Sequence, residues 1–209
     1  MKDKSMNKFG GEFWDERYSS IGFVYGTEPN IFFKDELDRL KTGNILLLGE
    51  GEGRNAVYAA AKEWNVDAVD FSTVARDKAL KLTEENSVKI NFEVADLVEH
   101  KPKTNYYDAA AIIYLHLNPK IRSLVHSKVV DSLKHGGTLI LEVYEKEQLG
   151  KDSGGPQNID MLYSKEELKN DFNKMKIMKL EKKIVILNES EHHKGEAAVL
   201  RLIAVKPKR

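Results

Sequence analysis

The clearest hydrophobic pattern in the chain is a continuous apolar run, Ile45-Leu46-Leu47-Leu48, that ends at a glycine-rich turn. An apolar run without alternation is typical of a strand that is buried on both faces, as in a parallel sheet covered by helices. Helix-forming residues follow the turn over residues 54–63. The pattern therefore predicts a strand, a tight turn and a helix, in that order.

Apolar runs and helical segments continue to alternate along the rest of the chain. Further strands are predicted at residues 66–72, 88–94, 107–117 and 138–144, followed by a hairpin of strands at 180–187 and 197–205 joined by the polar segment 188–196. Further helices are predicted at residues 29–40, 73–84, 119–133 and 165–174. This order predicts an α/β fold with a seven-stranded, mostly parallel sheet, one antiparallel strand and helices on both faces.

Three glycines at alternate positions, Gly49, Gly51 and Gly53, predict a ligand site at the turn. Glycine lets the backbone adopt unusual dihedral angles and lets a ligand approach the main chain. The dinucleotide fingerprint spaces its glycines differently, and no Lys-Ser/Thr pair follows as a phosphate loop requires. The turn also contains Glu50 and Glu52, which would repel a pyrophosphate but tolerate a cation. A sulfonium-bearing amino acid linked to adenosine fits this description.

Acidic residues end the next two predicted strands. Asp70 lies 21 positions after Gly49, where a carboxylate can accept hydrogen bonds from ribose hydroxyls, although a solvated loop acid is the alternative. Asp96 follows the third strand on the same predicted edge, and Tyr114 and His116 lie near the exit of the fourth. His116 could act as a base, but a lone histidine at a strand end is more often structural or exposed.

Five aromatic residues fall within the N-terminal residues 13–25. One interpretation is a helix that packs its aromatic side chains on the domain. The other is a lid, formed by residues 1–30, that closes over a ligand and excludes water. We expect residues 1–8 to be peripheral or disordered.

Composition narrows the class of partner. A length of 209 residues suits one domain with a substantial core, and we expect a single domain over residues 1–209. Lys plus Arg and Asp plus Glu both number 33, so no overall field recruits nucleic acid or an anionic membrane. The chain has no cysteine, which excludes disulfides and a cysteine nucleophile. With a polar N-terminus and no long apolar segment, we expect a cytoplasmic protein, monomeric or homodimeric, that acts on a small molecule.

Two adjacent histidines, His192 and His193, invite a metal-site interpretation with His116 as a third ligand. Adjacent side chains point to opposite faces of a strand, and no suitably spaced carboxylate supports them. We therefore expect no metal.

At this level the sequence resembles the class I S-adenosylmethionine-dependent methyltransferases, over nearly its whole length. The order of the glycine turn, Asp70, Asp96, the fourth strand, Gly136-Gly137 and the terminal hairpin is that of the family. Five motifs look like the branch related to tellurite-resistance and thiopurine methyltransferases. They are Trp14-Asp15-x-Arg17-Tyr18, Tyr25-Gly26-x-x-Pro29-Asn30, Gly49-Glu50-Gly51-Glu52-Gly53-Arg54-Asn55, Leu115-His116-Leu117 and Gly154-Gly155-Pro156.

The resemblance implies a Rossmann-like fold and S-adenosyl-L-methionine as the cofactor. Residues implied in binding the cofactor are Trp14, Arg17, Gly49, Glu50, Gly51, Gly53, Asn55, Asp70, Phe71, Ser72, Asp96, Leu97 and Tyr114. In this scheme the glycines pass beneath the methionyl part, Asp70 holds the ribose, Phe71, Asp96 and Leu97 meet the adenine, and Arg17 meets the carboxylate. One position departs from the family, because Leu47 stands where an acidic residue is usual, and Glu50 is the candidate for its charge.

Methyl transfer to a small molecule is the function that the resemblance implies, with a thiol, a thiopurine or a metalloid oxyanion as the acceptor. A sulfonium methyl is already activated, so the reaction needs mainly alignment, and no catalytic base is assigned. Candidate acceptor contacts are Tyr25, His116, Tyr144 and His193, and Arg17 and Arg122 are candidates for steering an anionic substrate. An NAD-dependent oxidoreductase and a non-catalytic cofactor-binding module are the alternatives.

Overall fold

The chain forms one seven-stranded sheet with six α-helices, in a computed structural model that describes residues 11–208. The strands are β1 Asn44–Leu48, β2 Asn65–Asp70, β3 Asn91–Val94, β4 Tyr107–Ile113, β5 Leu133–Tyr144, β6 Lys176–Ser190 and β7 His193–Val205. The helices are α1 Gly11–Tyr18, α2 Ile31–Leu37, α3 Arg54–Ala61, α4 Thr73–Glu85, α5 Pro119–Ser132 and α6 Lys165–Asp171. The expectation for residues 1–8 lies outside the described residues.

The order of the strands in the sheet is β3-β2-β1-β4-β5-β7-β6. β1 pairs with β2 and β4 in parallel, and β7 is antiparallel to both of its neighbours, β5 and β6. The predicted α/β sheet with one reversed strand is therefore confirmed. In this order the chain changes direction between β1 and β4, and ligands of open α/β sheets bind outside the carboxyl ends of the strands at such a point.

The apolar run of β1 is the middle of the core. Ile45 and Leu47 pack in one cluster and Leu46 and Leu48 in another, so the strand separates two hydrophobic layers. All four side chains are at most 3% exposed, and burying a side chain of this size stabilises the fold by about 1.5–3 kcal/mol. This rigid strand fixes the position of the glycine turn that follows it.

The start of one helix and the start of one strand differ from those predicted. The second helix begins after Asn30, whose side chain accepts a hydrogen bond from the Phe33 N–H at 2.9 Å, so Pro29 precedes the helix instead of opening it. β5 begins at Leu133, at the end of α5, because His135-Gly136-Gly137 is part of the strand and not a helix stop. By contrast, the predicted capping box of α6, formed by Ser164 and Glu167, is present.

The terminal hairpin is longer than predicted. β6 continues to Ser190 and β7 begins at His193, so the segment 188–196 is mostly strand and only two residues turn. The extra pairs carry the hairpin past the end of β5, towards the edge that holds the glycine turn. Within residues 11–208, no helix has both the length and the apolarity needed to cross a bilayer.

Candidate functional site

The glycine turn after β1 has a left-handed backbone at each of its three glycines. Gly49, Gly51 and Gly53 have φ angles of 64°, 61° and 89°. A Cβ atom at Gly51 would lie 2.7 Å from the hydroxyl oxygen of Tyr18, so a side chain there would collide with Tyr18. Only glycine satisfies both the backbone angle and this close approach.

The carboxylate of Asp70, at the end of β2, lies against this turn. Its Oδ2 accepts a hydrogen bond from the Gly51 N–H at 2.9 Å, and its Oδ1 accepts one from the Ser72 N–H at 2.9 Å. Burial raises the pKa of Asp70, and these two backbone hydrogen bonds oppose the rise. Each oxygen keeps a second lone pair, so the carboxylate can still accept hydrogen bonds from a ligand.

The two glutamates of the turn have different partners. Glu50 points back to the start of α3, where its Oε1 accepts the Ala56 N–H at 2.7 Å, and burial raises its pKa to about 7. Glu52 pairs with Lys78 at 2.9 Å and accepts the Tyr25 N–H at 3.2 Å. Glu50 therefore stabilises the helix that follows the turn, whereas Glu52 joins the turn to the N-terminal segment.

The N-terminal segment covers the turn. Tyr18 is 6% exposed, and its ring stacks on Trp14 with ring centroids 5.7 Å apart. Asp15 accepts hydrogen bonds from the Ser72 hydroxyl at 2.5 Å and the Val74 N–H at 3.2 Å, which fixes α1 to the start of α4. The helix of the first interpretation is thus present, and it occupies the position that the lid interpretation requires.

Tyr114 lies directly after β4 with a φ angle of 52°, which is unusual for a residue with a side chain. Its hydroxyl donates to Glu142 Oε1 at 2.9 Å, and its ring stacks on Tyr144 with centroids 4.7 Å apart. Such backbone strain persists where the surroundings over-determine it, and it concentrates at functional sites. Here it turns the Tyr114 ring towards the carboxyl edge of the sheet.

The four residues predicted as acceptor contacts lie together, around Tyr114. The His193 ring is 4.8 Å from Tyr25 and 5.9 Å from Tyr144, measured between centroids, and His116 stacks on Tyr144 at 5.4 Å. We call this group, with Tyr114, the aromatic cluster. It joins side chains from the N-terminal segment, the ends of β4 and β5, and the hairpin.

Both ring nitrogens of His116 lie within hydrogen-bond distance of backbone atoms. Its Nδ1 lies 2.9 Å from the Met161 carbonyl oxygen, and its Nε2 lies 3.3 Å from the Tyr144 N–H nitrogen. These partners require a neutral ring with the proton on Nδ1, and burial lowers the pKa of His116 to about 4. His116 therefore stacks on the Tyr144 ring, and neither of its nitrogens is free to act as a base.

Two residues at the tip of the hairpin, Glu189 and His193, close the site. Glu189 was not predicted as a site residue from the sequence. Its Oε2 lies 2.9 Å from Arg54 Nη2 and 3.0 Å from His193 Nδ1. Arg54, which also donates to the Tyr25 carbonyl oxygen at 3.2 Å, is the first residue of α3. Because residues 188–196 are polar, we expected a loop there, and no sequence signal indicated that the Glu189 side chain is only 13% exposed.

A second buried carboxylate, Glu142 on β5, was also missed as a site residue. It is 1% exposed and accepts hydrogen bonds from Asn30 at 2.7 Å, Tyr114 at 2.9 Å and Arg201 at 2.5 Å. Asn30 also donates its backbone N–H to Asn55 Oδ1 at 2.9 Å. The available signal was the position of Asn30 at the end of the motif Tyr25-Gly26-x-x-Pro29-Asn30.

The remaining predicted cofactor residues lie along the same edge. Phe71 follows Asp70 and packs on Gly11, where an added Cβ would lie 2.7 Å from the ring. Asp96 accepts the Val98 N–H at 2.8 Å, and the adjacent Leu97 is buried. Arg17 is exposed, with Nη1 3.4 Å from His192 Nδ1.

Arg122 lies elsewhere, and the prediction that it steers a substrate is wrong. It is 7% exposed on α5, with its guanidinium 2.8 Å from Asp171 and 3.3 Å from Glu167. Two cavities of about 300 and 330 Å³ also lie away from the glycine turn. The first lies between α5 and α6, and the second lies beside β2 and β3.

Comparisons with known proteins agree with this geometry. Residues 45–137, from β1 into β5, match the family model described as a methyltransferase domain. No curated protein matches the sequence.

Solved structures match over most of the chain. One, from work titled "Conversion of a Disulfide Bond into a Thioacetal Group during Echinomycin Biosynthesis", has a TM-score of 0.75 at 14% identity and covers 94% of this chain and 92% of its own. A SAM-dependent methyltransferase from Methanosarcina mazei has a TM-score of 0.69 at 16% identity, over 87% and 100% of the two chains. TehB from Haemophilus influenzae has a TM-score of 0.70 at 15% identity, over 94% and 66%.

At these identities the structural matches establish the fold, and the domain match covers the strand, the glycine turn and the acidic strand ends that form the site. Together, these comparisons show that residues 45–137 match a methyltransferase domain and that the chain has the fold of the S-adenosylmethionine-dependent methyltransferase from Methanosarcina mazei.

Proposed function

We propose that this methyltransferase transfers the methyl group of S-adenosyl-L-methionine to a small-molecule acceptor held in the aromatic cluster. The proposal rests on the ring contacts among Tyr25, Tyr114, Tyr144 and His193. These residues lie at the carboxyl edge of the sheet, where the strand order changes direction between β1 and β4. An acceptor in the cluster and a cofactor on the turn would lie side by side.

The residues at the turn fit the cofactor. The absence of a side chain at Gly51 lets the Tyr18 hydroxyl approach the turn, where the Asp70 carboxylate accepts the Gly51 N–H at 2.9 Å. The Tyr18 hydroxyl has no hydrogen-bond partner among residues 11–208. A ligand with ribose hydroxyls would give both groups a partner.

We assign the cofactor contacts along the edge of the sheet from the turn outwards. Asp70 accepts the ribose hydroxyls, Phe71 and Leu97 contact the adenine, and Asp96 accepts its amino group. Arg17, exposed on the lid, binds the carboxylate of the methionyl part. Glu50 keeps its contact with α3, since its carboxylate accepts the Ala56 N–H, and a bound sulfonium and ammonium would favour its ionised form.

The bound cofactor supplies a methyl group that is already activated by a positively charged sulfur. The chain then has to position the acceptor within about 3 Å of that carbon and to exclude water. Flat aromatic side chains bind a flat acceptor through ring stacking.

These features favour a thiol, a thiopurine or a metalloid oxyanion as the acceptor class. The tellurite-resistance and thiopurine branch uses acceptors of this kind, and the structural likeness to TehB supports the branch. The NAD-dependent alternative is not supported, because the glycine turn falls within the methyltransferase-domain match.

Methyl transfer to a panel of acceptors tests the proposal. The purified chain is incubated with S-adenosylmethionine carrying a labelled methyl group and with 6-mercaptopurine, 4-nitrothiophenol, selenite or tellurite, and labelled product is quantified by mass spectrometry. Transfer to one or more members, lost on substitution of Tyr114→Ala, supports the proposal. Cofactor binding without transfer to any member supports the non-catalytic module instead.

A further inference from the structure

His193 is held by a carboxylate that is itself held in place. The Nδ1 atom of His193 lies 3.0 Å from Glu189 Oε2, and Arg54 and Asn30 contact the same carboxylate at 2.9 and 3.4 Å. A carboxylate in this position keeps the imidazole proton on Nδ1 and fixes the orientation of the ring. The other nitrogen, Nε2, is then left as a proton acceptor.

The Nε2 atom of His193 has no hydrogen-bond partner among the residues that the structure describes, and it is not sealed from solvent. This distinguishes it from His116, whose two nitrogens both bond the backbone. It also differs from His126, whose Nε2 is closed off within the core. His193 thus combines a fixed ring, a free nitrogen and access to a ligand.

The position of His193 matches the reaction as well. The centroid of its ring lies 4.7 Å from that of Tyr114, the residue that follows β4. The loop after β5 also passes close to His193 at Gly154, where a Cβ atom would lie 3.0 Å from His193 Cδ2. The strand β4 neighbours β1, which ends at the glycine turn. A group on the cluster side of a methyl donor at that turn would therefore face His193.

Charged and titratable groups surround the ring. They are Glu189 and His192 on the hairpin, Arg54 on α3, Tyr25 on the N-terminal segment, and Tyr114, His116 and Tyr144 at the ends of β4 and β5. Burial lowers the pKa of His193 more than the hydrogen bond to Glu189 raises it. The ring is therefore neutral at pH 7 and able to accept a proton.

We propose that His193, oriented by Glu189, is the general base of methyl transfer, and that the acceptor is an aromatic molecule carrying a protonated thiol or hydroxyl. This inference rests on the proposed function and deepens it, because it assigns a base and identifies the acceptors that need one.

The step balances without a further reactant. The acceptor sulfur or oxygen forms a bond to the methyl carbon while the carbon–sulfur bond of the donor breaks, and its electron pair stays on the donor sulfur. The acceptor proton moves to Nε2 of His193. The positive charge thus passes from the sulfonium to the imidazolium, next to the negative charge of Glu189.

Two variants and one control test the inference. His193→Asn keeps a hydrogen-bond donor near Glu189 but removes the base, and Glu189→Gln keeps the shape but removes the charge. Glu191→Gln is the matched control, because it makes the same change on the exposed turn of the same hairpin, where the Glu191 side chain is 89% exposed. Calorimetric titration with S-adenosylmethionine, expected to be unchanged in His193→Asn and Glu191→Gln, reports the proposed function separately from the inference.

Turnover is then compared for two aromatic thiols at pH 7: phenylmethanethiol, which is still protonated, and 4-nitrothiophenol, which is already a thiolate. General base catalysis contributes about 10²–10⁴-fold, so His193→Asn should slow transfer to phenylmethanethiol by about that factor. Transfer to 4-nitrothiophenol should change by less than about threefold, since a thiolate needs no base. Glu189→Gln should follow the same pattern with a smaller loss.

Equal losses with the two thiols would show a structural role for His193 and overturn the inference, as would no loss with either. A wild-type chain that binds the cofactor but methylates neither thiol would also overturn it, because the acceptor class would be wrong. Failure to bind the cofactor would instead refute the proposed function.

Discussion

The guanidinium of Arg54 lies 2.9 Å from the carboxylate of Glu189, so an ion pair joins the residue directly after the glycine turn to the tip of the terminal hairpin. Both side chains are largely buried, at 8% and 13% exposure. These two elements are 135 positions apart in sequence. The pair therefore fixes the distance between the proposed cofactor site and the proposed acceptor site.

Removing one partner of this pair should destabilise the fold strongly. Arg54→Met leaves the Glu189 carboxylate buried without its cation, and breaking a buried pair in this way costs about 3–5 kcal/mol. The free energy of unfolding in urea measures the effect. Arg76→Met is the control, because Arg76 pairs with Asp77 on the surface, where the expected change is at most about 1 kcal/mol. Equal effects of the two substitutions would contradict the structural role of the pair.

Arg17 and Arg122 should respond to substitution in opposite ways. Arg17→Met on the exposed face of α1 should lower the affinity for S-adenosylmethionine by about tenfold, the loss of one charge-assisted hydrogen bond, with little change in stability. Arg122→Met should leave that affinity unchanged and lower the free energy of unfolding by about 3 kcal/mol, because Asp171 and Glu167 lose their cation. Calorimetry and urea unfolding of both variants separate these effects. A tenfold loss of affinity in Arg122→Met would contradict the assignment.

Glu50 should make the stability of the ligand-free chain fall as the pH rises. Burial raises its pKa to about 7 in the folded state, above the ordinary value of 4.5, so the folded state retains a proton that the unfolded state has already released. This contribution is fully present below pH 4.5 and is lost as the pH rises through about 7.

Replacement of Glu50 by Gln removes this titration. The free energy of unfolding of Glu50→Gln, relative to wild type, should therefore rise by about 3 kcal/mol between pH 4.5 and pH 7.5. Urea unfolding at a series of pH values measures the difference. A difference that stays constant across this range would show that Glu50 is ionised in the fold throughout.

His116 provides a test of the aromatic cluster that needs no ligand. Burial lowers its pKa to about 4, and its hydrogen bonds require the proton on Nδ1. Nitrogen-15 NMR of the histidine rings should show a neutral Nδ1–H tautomer for His116 from pH 8 down to about 5. A protonated ring at pH 6 would mean that the contacts with Met161 and Tyr144 do not form.

Local sequence patterns were sufficient to predict the sheet and the glycine turn with Asp70 near it. The uninterrupted run of β1, the spacing of the glycines and the position of Asp70 depend on neighbours close in the chain, and each is present as predicted. The capping residues Ser72 and Ser164 are present for the same reason. Such signals are strong because one turn or one strand determines them.

The hairpin tip and the buried carboxylates could not be predicted in this way. Residues 188–190 are polar, and they form strand only because they pair with residues of β7. Glu142 and Glu189 are tolerated inside the fold only because Arg201 and Arg54 come to them from distant elements. The sequence alone shows an acidic residue at each position but not the partner that neutralises it.

Calorimetric titration with S-adenosylmethionine, comparing wild type with Asp70→Ala, tests the central claim most directly. We expect wild type to bind one equivalent, and the substitution, which removes two hydrogen bonds to a carboxylate, to weaken binding by roughly 10- to 100-fold. Asp67→Ala is the control, since Asp67 lies on the same strand but bonds Tyr107 and Lys103. Unchanged affinity in Asp70→Ala, or binding of NAD in place of S-adenosylmethionine, would contradict the account.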